Sequence, residues 1–351
     1  MKSCKVTVDS ETFSAKYGDL LLDSAIMNGI ELPHDCRTGV CGTCSVRLVT
    51  GNVLGGEQGG GNDMIRACQA RIVSDLKIVT EAAAPHPVSV SAQIVHLVLL
   101  APDVIGISIE LEKPFNYLPG QYCKLQFRGF PVRRYSPSYP IQGGSRAHLL
   151  HFQIRKFPDG AVSSALGEKI LVGHRIRLTG PFGGAFFRPH HPGGAVLVSS
   201  GTGFAPMWPI AVEAITERPE RKLTFVVAAQ KLQSFYMHGA LCRLARFPNV
   251  TIIPLVSEPQ RVSSTIRTGR PTDCLPNLSS DDVVYAAGAP VLTEQLTRIA
   301  KAAGARCYAD PFVSHAELAN QSKLTSRLVG WLNRPGKNGT TRSMPSSSCS
   351  N

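Results

Sequence analysis

The sequence predicts a multidomain chain: a small β-rich domain, then an antiparallel β-barrel or sandwich, then an α/β domain built on a parallel sheet. Three observations predict it. A cysteine- and glycine-rich loop at 34–44 lies among short alternating segments near the N-terminus. From 88 to about 186 only short apolar runs occur, broken by turn residues. After His190-His-Pro-Gly-Gly194, apolar strands alternate with helical periodicity.

In the first region Cys4, Val6 and Val8 alternate with polar residues, as one buried face of a strand over 3–9 requires. Residues 12–15 complete a hairpin. Residues 20–29 predict a short helix with Leu21, Leu22, Ala25 and Ile26 on one face and Gly29 at its end. A strand is expected at 46–49 and a glycine-rich loop at 51–63. The stretch from Glu81 to Pro87 has the composition of a linker.

Strands are then expected at 89–99, 104–112, 121–127, 148–156 and 175–179. Pro119-Gly120, Gly143-Gly144 and Pro158-Asp-Gly160 mark turns between them. The third region gives strands at 195–199, 223–229, 250–256 and 283–287, with helices at 205–217, 234–246 and 291–303. Near-continuous apolar strands alternating with helices imply a parallel sheet covered on both faces. Beyond Phe312 the chain turns polar: one short amphipathic helix is expected at 317–332, and residues 335–350 lack the apolar content to order themselves. The expected domains are 1–84, 85–188 and 189–313, followed by a partly disordered tail at 314–351.

Composition narrows the function. The 351 residues carry a net charge of +12, which attracts anions, yet no run of five Lys or Arg residues occurs. A nucleic-acid tail is therefore unsupported, and an acidic protein partner or a phosphorylated cofactor fits the charge. There is no apolar stretch of about 18 residues and no apolar N-terminal run, so no membrane span is expected and the protein is read as cytoplasmic. Ten cysteines in such a chain argue for metal ligands or buried thiols.

The segment Cys36-Arg-Thr-Gly-Val-Cys41-Gly-Thr-Cys44, with Cys68 after 23 intervening residues, has the spacing of a plant-type 2Fe-2S site. Two irons need four thiolates, and one tight loop supplies three. Gly39 and Gly42 let backbone N–H groups approach the sulfurs. Zinc knuckles usually present two CxxC pairs, and only one exists here. Cys36, Cys41, Cys44 and Cys68 are the expected ligands. His34 is read as an ordinary loop histidine. Cys123, Cys242, Cys274, Cys307 and Cys349 are read as core or tail thiols.

Five further motifs are informative. Arg133-Arg134-Tyr135-Ser136 combines anion-pairing groups, an aromatic face and a short hydroxyl. Phe152-Gln-Ile-Arg155-Lys-Phe-Pro-Asp-Gly160-Ala-Val-Ser163 reads as a strand, a turn and a helix start suited to phosphate. Ser200-Gly201-Thr202-Gly203-Phe204-Ala205-Pro206 follows an apolar strand and opens a helix, where the backbone and the helix dipole suit a pyrophosphate. Tyr285-Ala-Ala-Gly288-Ala-Pro290 repeats the strand-to-helix turn. Tyr308-Ala-Asp310-Pro-Phe312 closes the last strand.

Together, and in this order, these motifs resemble the ferredoxin–NAD(P)H reductases with an N-terminal ferredoxin domain, especially the reductase components of aromatic-ring oxygenases such as the naphthalene dioxygenase group. The resemblance covers residues 1–312. It implies a β-grasp 2Fe-2S ferredoxin domain, an antiparallel β-barrel FAD domain and an α/β NAD-binding domain. Arg133, with Arg134, would pair the flavin phosphate, Tyr135 would pack on the ring and Ser136 would sit near its N5. Arg155, Gly160 and Ser163 would serve the flavin pyrophosphate. Gly201, Thr202, Gly203, Pro206, Gly288 and Pro290 would hold the pyridine nucleotide, and Phe312 would cover the flavin. Ala287 stands where many members have cysteine.

The implied activity is electron transfer from NAD(P)H through FAD and the cluster, with no side-chain acid, base or nucleophile. The implied acceptor is a Rieske-type ferredoxin or the oxygenase of an aromatic-ring dioxygenase, served by a monomeric reductase. A di-iron monooxygenase, a deoxysugar pathway, or a non-enzymatic iron–sulfur carrier or sensor are the alternatives. Lys231 is the one cation after the strand at 223–229 placed to meet a 2′-phosphate, so NADH is expected over NADPH.

Overall fold

Alternation at Cys4, Val6 and Val8 builds β1 (Ser3–Val8), whose inward side chains are buried, and β2 (Glu11–Lys16) pairs with it antiparallel. Helix α1 (Leu21–Met27) places Leu21, Leu22 and Ala25 in the same core. Ile26, expected on that face, lies about 100° around the helix from Ala25 and is partly exposed. The domain is completed by β3 (Ser45–Thr50), β4 (Val53–Leu54), β5 (Met64–Arg66), β6 (Arg71–Ile72) and β7 (Leu76–Thr80). Its sheet runs β2-β1-β7-β3-β5, with β1 and β7 parallel, the β-grasp arrangement. The expected glycine loop contains β4, which pairs with β6. The structure describes residues 2–56, 63–80, 85–140, 148–258 and 265–313. The tail, its expected helix and Cys349 lie outside them.

The second domain is a seven-stranded antiparallel sheet. It comprises β8 (Val88–Ala101), β9 (Val104–Leu111), β10 (Tyr122–Phe127), β11 (Arg133–Tyr135), β12 (Pro137–Ser138), β13 (Leu149–Arg155) and β14 (Arg175–Phe182). The order is β11-β10-β14-β8-β9-β13-β12. Its two edge strands, β11 and β12, are separated in the chain by Ser136 alone. The sheet therefore curls until its edges meet, and the segment 133–138 is the seam. Curling onto itself leaves no long open edge for stray pairing. Ile94, Ile107, Leu125, Phe127, Phe152 and Leu178 fill the interior.

The third domain is a six-stranded parallel sheet of order β18-β17-β16-β15-β19-β20. Its elements are β15 (Ala195–Ser200), α2 (Phe204–Glu217), β16 (Leu223–Ala229), α3 (His238–Leu244), β17 (Val250–Val256), β18 (Arg267–Thr268), β19 (Val283–Gly288), α4 (Pro290–Ala302) and β20 (Arg306–Pro311). Leu197, Phe225 and Tyr285 point to one face, against α2 and α3, while Val196, Val226 and Val284 point to the other, against α4. Both faces are covered, which is why these strands read as unbroken apolar runs. The helix expected at 234–246 starts only at His238. Tyr236 is drawn off to the barrel, where its hydroxyl donates to Gln153 at 2.7 Å.

The three domains pack as one compact unit, Met1–Val313. Phe225 is fully buried and stacks on Phe204 of α2 at 5.7 Å. Truncating Phe225→Ala is expected to cost about 3–5 kcal/mol through lost burial and a residual cavity, read from urea unfolding of the α/β domain.

Candidate functional site

The cysteine loop turns back on itself through Gly39 and Gly42, both at positive φ. The backbone N–H groups of Thr38 and Cys41 both donate to Cys36 Sγ at 3.4 Å. The Thr43 hydroxyl stands 3.1 Å from Cys41 Sγ, and Gln69 Nε2 reaches Cys68 Sγ at 3.7 Å. Arg66 donates to the Gly39 carbonyl and holds the loop from below. Cys68 lies two residues past the end of β5, so the strand pairing of β5 on β3 carries it to the loop.

The four thiols meet as two pairs. The neighbouring Cys41 thiol draws the Cys36 thiol well below the ordinary thiol range, and Cys44 draws Cys68 down. Cys41 and Cys44 themselves are pushed up. Among the described residues no group of three His, Cys, Asp or Glu side chains is arranged around a single metal ion. A two-iron cluster asks for something else: two protein thiolates on each iron, with sulfide bridging the irons. Two pairs with backbone donors aimed at them fit that group. His34, by contrast, is bonded through Nδ1 to the Leu32 carbonyl at 2.9 Å. Cys4 and Cys123 are core thiols; Cys242, expected as core or tail, instead lies exposed on α3, one turn from His238.

Next to Cys36 stands a residue that no sequence motif singles out. The Asp35 side chain is only 1% exposed. It accepts Tyr122 Oη at 2.5 Å and Arg134 Nε at 2.9 Å, and it pairs with Lys124. Burial alone would raise its carboxyl, but the Lys124 and Tyr122 hydrogen bonds and the Arg134 charge hold it below the usual carboxylate range.

At the barrel seam the tetrapeptide splits by strand alternation. Arg133 and Tyr135 lie on one side of β11, with Arg133 Nη1 returning to the Val132 carbonyl at 2.8 Å. Arg134 points the other way, and its Nε donates to Asp35 of the cysteine loop at 2.9 Å. Ser136 is buried between β11 and β12. The segment after β13 departs from expectation: residues 161–165 form turns and no helix begins there. Ser163 Oγ is engaged by the Phe157 N–H at 3.2 Å, and a Cβ on Gly160 would stand 2.2 Å from that Oγ. Gly160 is thus fixed by the turn itself. Arg155 pairs with Asp103 at 3.2 Å and donates to Gln230 at 3.1 Å, so it joins the barrel to the α/β domain.

In the parallel sheet the chain runs outward from β15 through β16 to β18, then returns to place β19 on the other side of β15. Between β15 and β19 the strand order reverses, and crevices at such switch points are where open α/β sheets bind ligands. Both glycine turns end at this point. Gly201 has φ +55° with open space beside it, and Ala289 N donates to Ser200 Oγ at 3.1 Å. A Cβ on Gly203 would strike the Ala287 carbonyl at 2.2 Å, and one on Gly288 would strike Ser200 Oγ at 2.2 Å. The turns can touch only as glycines. Thr202 and Pro206 occupy the turn and the first turn of α2, and Pro290 opens α4. The Phe312 N–H donates to the Gly288 carbonyl at 2.7 Å beside this crevice, and Phe312 is 38% exposed. These turns form a cradle that a pyridine nucleotide fits.

Three family models match in series: a 2Fe-2S iron–sulfur cluster binding domain over residues 3–73, an oxidoreductase FAD-binding domain over 91–187 and an oxidoreductase NAD-binding domain over 197–298. A Ralstonia relative, the ferredoxin–NAD(P)+ reductase component of naphthalene 1,2-dioxygenase/salicylate 5-hydroxylase systems, is 31% identical over 81% of this chain and 89% of its own. The chain belongs to the ferredoxin–NAD(P)+ reductase family. A Pseudomonas putida member from a naphthalene 1,2-dioxygenase system is 29% identical over 86% of this chain and 94% of its own. The solved ferredoxin reductase in carbazole 1,9a-dioxygenase shares the fold, with TM-score 0.63 and 24% identity over 89% of this chain and 99% of its own. This reductase is an oxidoreductase that carries electrons from NAD(P)H through FAD and a 2Fe-2S cluster.

Asp310 lies in the closing motif, near the end of β20. Its carboxyl is buried beside Arg134, and burial pushes it up to about 7 against the pull of that charge. An acid raised in this way binds a proton in the fold after the unfolded chain has lost it. The stability it contributes is present below about pH 4 and is lost as pH climbs through about 7. Asp310→Asn, neutral throughout, is expected to gain stability relative to the wild type across that window in urea unfolding. At the cluster, Cys68→Ser is expected to weaken and destabilise the visible iron–sulfur absorbance; a full-intensity, stable spectrum would remove Cys68 from the ligand set.

Proposed function

We propose that this reductase serves an aromatic-ring dioxygenase system as a cytoplasmic monomer. It takes hydride from NADH and delivers single electrons to a Rieske-type ferredoxin or to the oxygenase itself. Its domains are 1–84 for the cluster, 85–188 for FAD and 189–313 for the nucleotide. The observation that carries the reading is the similarity to two naphthalene-system reductases along most of the chain, combined with a cysteine loop packed directly on the barrel seam.

Bound FAD supplies the conversion between a two-electron hydride donor and a one-electron cluster. The chain's own work is binding and placement. Cys36, Cys41, Cys44 and Cys68 ligate the irons. Arg133 meets the flavin phosphate, while Tyr135 and Ser136 at the seam orient the ring. Gly160 and Ser163 shape the adjacent turn, and the Ser163 hydroxyl, which accepts from Phe157 N–H, keeps its own proton to donate to a phosphate. Gly201, Thr202, Gly203, Pro206, Gly288 and Pro290 line the nucleotide crevice, and Phe312 shields the flavin until nicotinamide arrives. No proton-transfer residue is needed for hydride delivery.

Coenzyme choice follows from charge. Lys231 is paired with Glu258 at 3.8 Å, and Gln230 donates to the same carboxylate at 2.8 Å. A 2′-phosphate there would meet a neutralised lysine and a carboxylate, which supports NADH over NADPH. The net charge of +12 suits an acidic acceptor.

Anaerobic NADH is expected to bleach the flavin band and then the cluster band, faster than NADPH does. A flavin band that stays unbleached overturns the reductase role. Reduction of acceptor ferredoxin is expected to slow as salt rises; a flat profile counts against charge-steered docking.

A further inference from the structure

Asp35 is a buried carboxylate of the cysteine loop, and its three described donors all belong to the flavin barrel. Tyr122 and Lys124 come from β10 and Arg134 from β11. Arg134 also lies over the Tyr122 ring at 5.9 Å and within electrostatic reach of Asp310 in the α/β domain. A carboxylate so placed is costly unless paired and hydrogen-bonded, so the site is satisfied only when the loop and barrel are seated together.

We infer that Asp35, Tyr122, Lys124 and Arg134 form a docking latch that fixes the cluster against the flavin barrel and sets the gap crossed by single electrons. The inference rests on the NADH-to-FAD-to-cluster reading above and assigns it positioning residues. Asp35 precedes the candidate ligand Cys36, and Arg134 precedes Tyr135, the candidate flavin contact. One side-chain hydrogen bond of 2.9 Å joins the two segments. Electron transfer falls steeply with distance, so a loop that shifts by a few ångströms loses its rate.

A second set of contacts shows where loosening would appear. Gly184 N donates to the Cys41 carbonyl at 3.0 Å, and Gly183 N donates to Thr43 Oγ1 at 2.9 Å. Gly184 and Gly42 approach so closely that a Cβ on Gly184 would stand 2.6 Å from the Gly42 carbonyl. These amides bond across the domain junction, so their hydrogen exchange reports docking. Three directional donors converging on one buried acceptor specify orientation in a way that two backbone bonds alone do not.

The test uses the full-length holoenzyme and the variants Asp35→Asn, Lys124→Met and Tyr122→Phe. Reduction of flavin by NADH is read through ferricyanide, which takes electrons directly from reduced flavin. Transfer through the cluster is read with cytochrome c. Exchange of the 183–184 amides is read by mass spectrometry. Asp35→Asn is expected to keep ferricyanide reduction, slow cytochrome c reduction by about tenfold and speed exchange at 183–184 by a similar factor, the scale of one lost charge-assisted hydrogen bond. Combined with Lys124→Met, its effect on exchange is expected to be non-additive. Wild-type exchange and wild-type cytochrome c reduction in a fully loaded Asp35→Asn overturn the latch. Should Asp35→Asn fail to hold its cluster, Lys124→Met and Tyr122→Phe decide alone, because both lie on the barrel: slowed transfer with faster exchange supports the latch, and wild-type values in both overturn it. Failure of NADH to reduce the wild-type flavin sinks the underlying reading instead, and exchange at 183–184 still reports on the latch.

Discussion

A carboxylate removed from water has to be neutralised where it sits, and Asp35 is removed from water by the barrel that neutralises it. That constraint ties the first domain to the second. Lys124, Tyr122 and Arg134 can converge on Asp35 in one relative placement of loop and barrel. Once they do, Thr43 contacts Gly183 and the Cys41 carbonyl meets Gly184. The cysteine loop is then held by side-chain charge on one flank and by backbone hydrogen bonds on the other.

Barrel topology supplies the surface that this loop meets. The seven-stranded sheet closes at 133–138, and strand alternation there divides adjacent residues between two tasks. Arg133 and Tyr135 fall on one side and Arg134 on the other. The same alternation that separates them lets one short strand serve a cofactor site and a domain junction at once. The α/β domain joins through separate contacts: Tyr139 donates to Glu213, Tyr236 to Gln153 and Arg155 to Gln230. Its switch point carries two glycine turns whose mutual contact leaves no room for a Cβ.

Much of this was legible along the chain. Most of the longer strands, the C-x4-C-x2-C loop and both glycine turns stand in the sequence because each depends on local periodicity or on close spacing, while β4 to β7 and β18 do not. Where local reasoning failed, a tertiary contact had intervened. Helix α3 starts late because Tyr236 bonds to the barrel. Ser163 caps a turn where a helix start was expected. Arg134 bonds to Asp35, a contact that its place in the tetrapeptide does not announce. Strands β11 and β12 were missed because they span three and two residues and exist only as partners of β10 and β13.

By itself the sequence determined the three-part architecture, the cluster spacing and the turns suited to phosphate, since short-range sterics and apolar period set those. Only the tertiary structure decided which charges meet. Asp35 and Arg134 are separated by 99 positions in the chain, and no pattern in either neighbourhood announces the other. Their pairing follows from domain packing, because a buried carboxylate takes whatever donors the fold brings within hydrogen-bond reach.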